Sequence, residues 1–184
     1  MRDLFDSAPI AGLVLRDDVV SESEERELIR HCEGLDLSPF RFQGWDGKRL
    51  TRSFGWHYDF TSGRIEEADA IPEWLLHARE MAAKGLDRDP SAFVQALVIR
   101  YDPGAGIGWH RDRPQFDEVI GVTLASDTTL AFRLRRQDGK FDRVKQPLAR
   151  RSAYLLSGEA RSDWQHGIAK HDARRFSLTF RSLR

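Results

Sequence analysis

Cysteine is almost absent: Cys32 is the only one in 184 residues. A single thiol closes no disulfide within the chain and builds no cysteine-rich zinc site, as expected of a reducing cytoplasmic location. Cys32 shares a helical face with Leu28 and Ile29 and reads as core. Long apolar runs are missing too. The early run at residues 10–15 ends in Arg16-Asp17-Asp18, too short for a signal segment or a membrane span, so neither targeting nor membrane association is expected. Net charge is also lacking, with 29 Lys+Arg against 29 Asp+Glu, which argues against a protein held by generic attraction to nucleic acid or lipid. The charge is unevenly spread, however. Residues 1–99 hold 12 basic and 19 acidic side chains and residues 100–184 hold 17 and 10, so about −7 is followed by about +7 and the second half is the one suited to face an anion.

What is present is enough apolar residue, 40%, to build one core, and one domain over residues 1–184 is expected. A short strand is predicted over residues 12–16. Ser21-Glu22-Ser23-Glu24 is a capping box that opens a helix running to about Glu33 and ending at Gly34. A second amphipathic helix runs from Pro72 through Trp74, Leu75, Ala78 and Ala82 to Gly85. Between them, Asp46-Gly47 signals a hairpin turn, and Phe54, Trp56, Tyr58 and Phe60 alternate at the strand period. From residue 93 onward short strands follow one another, over 93–101, 107–111, 118–125, 129–136, 141–146, 152–157 and 174–182, with turn formers such as Pro103-Gly104 and Asp138-Gly139 between them. Strands at this spacing predict a mostly β fold of the α+β type: a sandwich or jelly roll with the two N-terminal helices supporting one sheet.

Two His-X-Asp triplets carry the first chemical signal, His57-Tyr58-Asp59 and His110-Arg111-Asp112. On an extended strand, imidazole and carboxylate at i and i+2 point to the same side. A distant His then completes a 2-His-1-carboxylate set that leaves coordination positions open. Roughly half an occurrence of the triplet is expected by chance in a chain of this composition, so context must separate the two. His57 and Asp59 share a face opposite the aromatics and read as a solvated pair. His110 follows the glycine-rich turn Gly104-Ala105-Gly106-Ile107-Gly108, where backbone and ligand can approach closely, which suits a site. Further on, Arg175, Ser177, Thr179 and Arg181 alternate with Phe176, Leu178 and Phe180. The polar side of that strand is either a solvated face or an anion grip.

Taken together, Arg100-Tyr101-x-Pro103-Gly104, His110-x-Asp112, His166 at 54 residues beyond Asp112, and Arg175-x5-Arg181 within Leu178-Thr179-Phe180-Arg181 resemble the catalytic core of the AlkB-type Fe(II)- and 2-oxoglutarate-dependent dioxygenases. The detailed resemblance covers residues 95–184 and is looser before them. It implies a double-stranded β-helix, with Fe(II) held by His110, Asp112 and His166 as the catalytic centre. It implies that 2-oxoglutarate is gripped at its distal carboxylate by Arg175, with Tyr101 donating a hydroxyl hydrogen bond and Ser177 within reach. Arg181 would then lie near the iron-side carboxylate. The implied chemistry consumes O2, converts 2-oxoglutarate to succinate and oxidises a substrate C–H bond. On an N-methyl group it releases formaldehyde.

In the family the segment before the β-helix reads substrate. Here that is residues 40–60, where Arg41, Lys48, Arg49 and Arg52 interleave with seven aromatics. Cations and flat rings suit an unpaired base and its phosphates, although the same aromatics can also build core against the second helix. Arg52, Trp56 and Tyr58 are the substrate candidates there. Arg133, on a strand with Arg135 and Arg136, either lines the substrate mouth or lies on a solvated edge. Ile99 and Ser177 stand where many nucleic-acid-repairing relatives have asparagine, and Pro114 where they have an acidic base reader. The expected substrate is therefore an alkylated base in DNA or RNA, with a methylated protein or small molecule as the alternative and a non-catalytic β-sandwich module as the competing class. A monomer is expected.

Overall fold

The structure is a computed structural model that describes residues 10–42, 45–59 and 63–184, with backbone alone for 40–42 and 45–47. The side chains of Phe40, Arg41, Phe42 and Trp45, and the whole of Phe60, lie outside the described residues.

Strand β1 (Leu13–Arg16) leads into helix α1 (Glu22–Glu33), and Ser21 and Glu24 close the expected capping box in both directions. Gly34 ends α1 in right-handed rather than left-handed geometry. Strands β2 (Ser38–Phe42) and β3 (Trp45–Phe54) form a hairpin with Arg41 opposite Asp46 and Phe42 opposite Trp45. Asp46 and Gly47 therefore sit inside β3 rather than in the turn. The aromatic alternation is also interrupted. Gly55 takes φ +73°, where a Cβ would lie 2.3 Å from the Val94 carbonyl oxygen, so β3 stops at Phe54 and β4 (Trp56–Tyr58) pairs separately with β5 (Ile65–Glu67).

Helix α2 (Glu73–Gly85) starts with Pro72 at its N-cap and precedes β6 (Phe93–Tyr101) and β7 (Ile107–His110). Then come β8 (Phe116–Leu124), β9 (Thr128–Arg135), β10 (Phe141–Leu148), β11 (Ala153–Leu156), the short helix α3 (Gly158–Ser162), β12 (Gln165–Ile168) and β13 (Arg175–Leu183). All strand pairs are antiparallel, in a seven-stranded sheet ordered β1-β11-β8-β13-β6-β3-β2, a four-stranded sheet ordered β10-β9-β12-β7, and the β4-β5 pair. The described residues are mostly β, with both predicted N-terminal helices present. Among them no helix is long and apolar enough to cross a membrane.

Two cores result from the strand alternation. One face of the larger sheet, including Phe93, Val98, Val122 and Leu178, packs with Leu28, Cys32, Leu75 and Ala82 of the helices. Burying each Phe or Leu side chain there contributes roughly 1.5–3 kcal/mol. Burial also pushes the Cys32 thiol up to about 12, so this cysteine is an inert core residue. The second core, with Val119, Leu130, Phe132, Leu156 and Ile168, joins the two sheets. Glu25 anchors α1 to this framework from a buried position: its carboxylate accepts from the Ala125 backbone N–H and from two nitrogens of Arg150.

Strand β13 lies at the centre of the larger sheet, between β8 and β6, and both of its faces are covered. Phe176, Leu178 and Phe180 enter the helix-side core, while Arg175, Ser177 and Thr179 are buried on the other face. The solvated option for that polar face is thereby excluded.

Candidate active site

His110 ends the edge strand β7 and His166 lies on β12 directly opposite it in the ladder, so strand pairing brings together residues 56 positions apart. Asp112 follows just beyond β7. The donor atoms of His110, Asp112 and His166 all lie within 4.8 Å of one another. The His110 ring donates from Nδ1 to the Gly108 carbonyl oxygen at 2.8 Å, which assigns the lone pair to Nε2. Burial pushes the His110 imidazole below its ordinary value, with Asp112 acting the other way. His166 is driven down to about 3, by burial first and by its neighbour His110 second. His166 Nε2 lies 3.5 Å from Asp112 Oδ2, in a place that is 7% exposed on both sides. An imidazole nitrogen and a carboxylate oxygen converging there, with the His110 ring beside them, have the chemistry of a cation site.

Asp112 is kept as a carboxylate. Burial raises its pKa, but Arg181, His166 and His110 outweigh this and hold it well below the usual carboxylate range. Arg181 donates from Nε to Asp112 Oδ1 at 2.8 Å and from Nη1 to Gln95 Oε1 at 2.9 Å, so its fork is already engaged. Arg175, six residues earlier on the same face, is in the opposite state. It is 0% exposed, and among the described residues its guanidinium makes only a long hydrogen bond of 3.4 Å from Nη2 to Thr123 Oγ1, with Nε and Nη1 unpartnered. An isolated buried guanidinium is costly, and no described carboxylate relieves it. The orphaned donors fit a bound carboxylate, which a guanidinium takes in a two-pronged grip.

Tyr101 underlies this guanidinium, with its ring centroid 4.9 Å from Arg175 Cζ. Ser177 is buried on the same strand face. Tyr154, not anticipated from sequence, stands opposite Gly121 on β8. A Cβ on Gly121 would come 2.2 Å from Tyr154 Cζ, so the glycine is what lets the ring lie there. Burial, opposed by Arg175, pushes the phenol well above its ordinary value and keeps it an O–H donor. Arg49 on β3 is another unanticipated member. It pairs with Tyr101 across the sheet, hydrogen-bonds the Tyr101 side chain, and interacts electrostatically with Asp112 and Arg181. Thr123 and Gln95, each holding one of the two arginines, complete the list. A lone glycine within a predicted strand was the available signal for Tyr154. Arg49 had none beyond its place among the cations of residues 40–60.

The expected substrate residues are less concentrated. Tyr58 reaches the site's rim, with the Arg113 guanidinium, next to Asp112, 4.7 Å from its ring centroid. Trp56 is half-buried on β4. Arg52 is tied to Asp69 at 2.9 Å and lies over Phe54, a structural engagement. Arg133 is not brought to the cluster: Phe132 and His166 face inward, whereas Arg133 faces out and donates to Gln165 Oε1 at 2.8 Å. The other triplet, His57-Tyr58-Asp59, stays apart too, with His57 3.6 Å from Glu66.

A family model described as the 2OG-Fe(II) oxygenase superfamily matches residues 12–181. The chain belongs to that superfamily. This oxygenase is AlkB-like and a dioxygenase enzyme. It is 26% identical over 165 residues to tRNA (carboxymethyluridine(34)-5-O)-methyltransferase ALKBH8 of Mus musculus, a match covering 85% of the chain and 24% of that protein. The chain thus spans about a quarter of the length of that relative. It is 29% identical over 123 residues to the probable RNA/DNA demethylase ALKBH6 of Danio rerio, covering 62% of the chain and 47% of that protein. The solved structure of OsALKBH1 superposes with a TM-score of 0.67 at 18% identity, covering 93% of this oxygenase and 96% of that chain, a likeness of fold. The superfamily implies Fe(II), 2-oxoglutarate and O2, and the two donor sets described above fit the first two.

Proposed function

We propose that this oxygenase removes methyl groups from alkylated bases in DNA or RNA, with His110, Asp112 and His166 as the iron ligands and Arg175 as the anchor of 2-oxoglutarate. The observation that carries the cosubstrate reading is the fully buried Arg175 with two orphaned nitrogens, on the same strand face as the arginine that holds Asp112. The two sheets are read as the halves of a double-stranded β-helix, since they face each other across Val119, Leu130, Phe132 and Ile168. The nucleic-acid reading draws on the tRNA and RNA/DNA substrates in the names of two relatives and on the aromatic and cationic rim of Tyr58 and Arg113.

Each side chain then has a physical task. Arg175 takes the distal carboxylate of 2-oxoglutarate, with Tyr101 beneath its guanidinium, Tyr154 interacting electrostatically with it and Ser177 buried on the same strand face as candidate hydroxyl donors to the anion. Arg181 keeps Asp112 ionised and oriented, while the Gly108 carbonyl fixes the His110 tautomer. When bound, iron and 2-oxoglutarate supply oxygen activation, turning the cosubstrate into succinate and oxidising a substrate C–H bond. Tyr58 offers a ring on which an extruded base can stack.

The test is anaerobic loading with Fe(II) and 2-oxoglutarate, then oxygen, with formaldehyde followed from oligonucleotides carrying 1-methyladenine or 3-methylcytosine. Formaldehyde that disappears in His110→Ala is the expected result. Succinate without formaldehyde moves the substrate to a methylated protein or small molecule, and absence of bound iron refutes the assignment of the triad.

A further inference from the structure

The outward face of the four-stranded sheet carries positive charge that the carboxylates among the described residues do not pair with at Arg135, Arg143 and Lys145. Across β9 and β10, Leu130, Phe132, Gln146 and Leu148 are buried, so alternation turns Arg133, Arg135, Phe141, Arg143 and Lys145 outward. Residues 128–148 contain six basic and two acidic side chains, and both acids, Asp138 and Asp142, are engaged by Arg136. Arg135, Arg143 and Lys145 are exposed and have no carboxylate partner among the described residues. Arg133 and Arg143 stand directly opposite each other in the ladder, a like-charge pair that weakens the sheet. A sheet that carries this cost without a neutralising carboxylate among the described residues is suited to an anion from outside.

Flat surfaces lie among these cations. The Arg133 guanidinium is held 4.8 Å from the Trp109 ring centroid and 4.5 Å from that of Phe141. Trp109 is 39% exposed, although indole is among the side chains most strongly drawn into cores. It borders a groove of about 530 Å³ lined also by Gly108, Ala131 and Gly167, with Lys48 and Lys170 contributing charge. A Cβ at Gly108 would meet nothing within 4 Å, so the backbone beside the indole is open. On the other side of Arg133 a second groove, of about 500 Å³, includes Arg111, Arg135 and Phe141, with Asp163 as its one acid.

We propose that this outer face binds a single strand of nucleic acid, with phosphates on Arg135, Arg143 and Lys145 and a base against Trp109. A duplex offers no free base faces to the indole, and an acidic peptide leaves the indole and its groove without a role. Trp109 and His110 are consecutive on β7, the edge strand of the sheet, so a strand lying on this face has one edge to round before it reaches His110. The inference rests on the reading that the substrate is nucleic acid, and it identifies where the flanking nucleotides are held.

The test is fluorescence anisotropy of an unmodified single-stranded oligonucleotide of about 15 nucleotides with the intact chain, from about 50 to 200 mM salt. The triple variant Arg135→Glu/Arg143→Glu/Lys145→Glu should bind at least about tenfold more weakly, with the slope of log K against log salt smaller by about 2, as expected from three lost phosphate contacts. Trp109→Ala should weaken binding about tenfold with the slope retained, since stacking is not a counterion effect. Both variants should keep the parent's circular dichroism, and the triple variant, in which Arg143→Glu turns the Arg133 repulsion into an attraction, should melt no lower than the parent. A folded triple variant that binds within about twofold of the parent overturns the inference, as does equal binding of polyglutamate or anionic vesicles by the parent. If the triple variant loses the strand while no methylated base yields formaldehyde, the sheet face stands and the demethylation reading falls. If the triple variant demethylates oligonucleotides as well as the parent does, the sheet face falls and demethylation stands.

Discussion

His57-Tyr58-Asp59 and His110-Arg111-Asp112 have the same pattern and opposite fates. The first sits on β4, in a two-stranded pair, where His57 meets Glu66 at the surface. The second ends β7, whose partner β12 supplies His166, and Arg181 from the other sheet grips its carboxylate. What separates them is the third and fourth residues that the fold delivers, together with burial that keeps the imidazoles neutral and a guanidinium that keeps the acid charged. Spacing alone nominates a site, and the neighbouring strands decide it.

The sharpest way to break the contrast is to reduce the second triplet to the condition of the first. His166→Ala leaves His110 and Asp112 in place, yet stoichiometric Fe(II) binding, read by metal analysis after desalting, should be lost. Next in size, Arg175→Ala should retain iron while the apparent affinity for 2-oxoglutarate falls at least about 100-fold, measured by titration calorimetry, because charge-assisted hydrogen bonds disappear together. Arg181→Leu tests the carboxylate's holder and should lower iron affinity about 10- to 100-fold, the usual effect of losing an outer-shell partner. Gly121→Ala forces Tyr154 aside and should cost about 1–3 kcal/mol in chemical denaturation, along with weaker 2-oxoglutarate binding. Smallest of all, His57→Ala should leave iron binding unchanged and stability within about 0.5 kcal/mol, since its pairing with Glu66 is exposed.

Much of this arrangement is legible in the sequence. The capping box at Ser21 and Glu24, the amphipathic α2 and the alternation of β13 are local patterns, and each produced its element. The three donors His110, Asp112 and His166 are those the family resemblance implies, and they do converge. What escaped was nonlocal or brief. Strand β12 is four residues long and three of them are glycine or polar, so it shows no readable period, though it carries His166. The turn before β3 was misplaced because Asp46 and Gly47 fit a turn by composition, while register with β2 put them in the ladder. Arg49 and Tyr154 enter the site only through pairing with Tyr101 and Gly121, which no local pattern announces. Alternation alone does not say whether the polar face of β13 is solvated or buried, because that depends on what the fold packs over Arg175, Ser177 and Thr179.

The two orphaned nitrogens of Arg175 have a consequence for turnover. A guanidinium with no counter-ion in a closed interior makes the incoming dicarboxylate part of the folded structure, so ligation should raise the melting temperature and slow hydrogen exchange along β13. On the proposed assignment, succinate keeps the carboxylate that Arg175 would hold and loses only the carbon released as CO2. The product would then leave against the same attraction that drew the cosubstrate in, so succinate is expected to compete with 2-oxoglutarate.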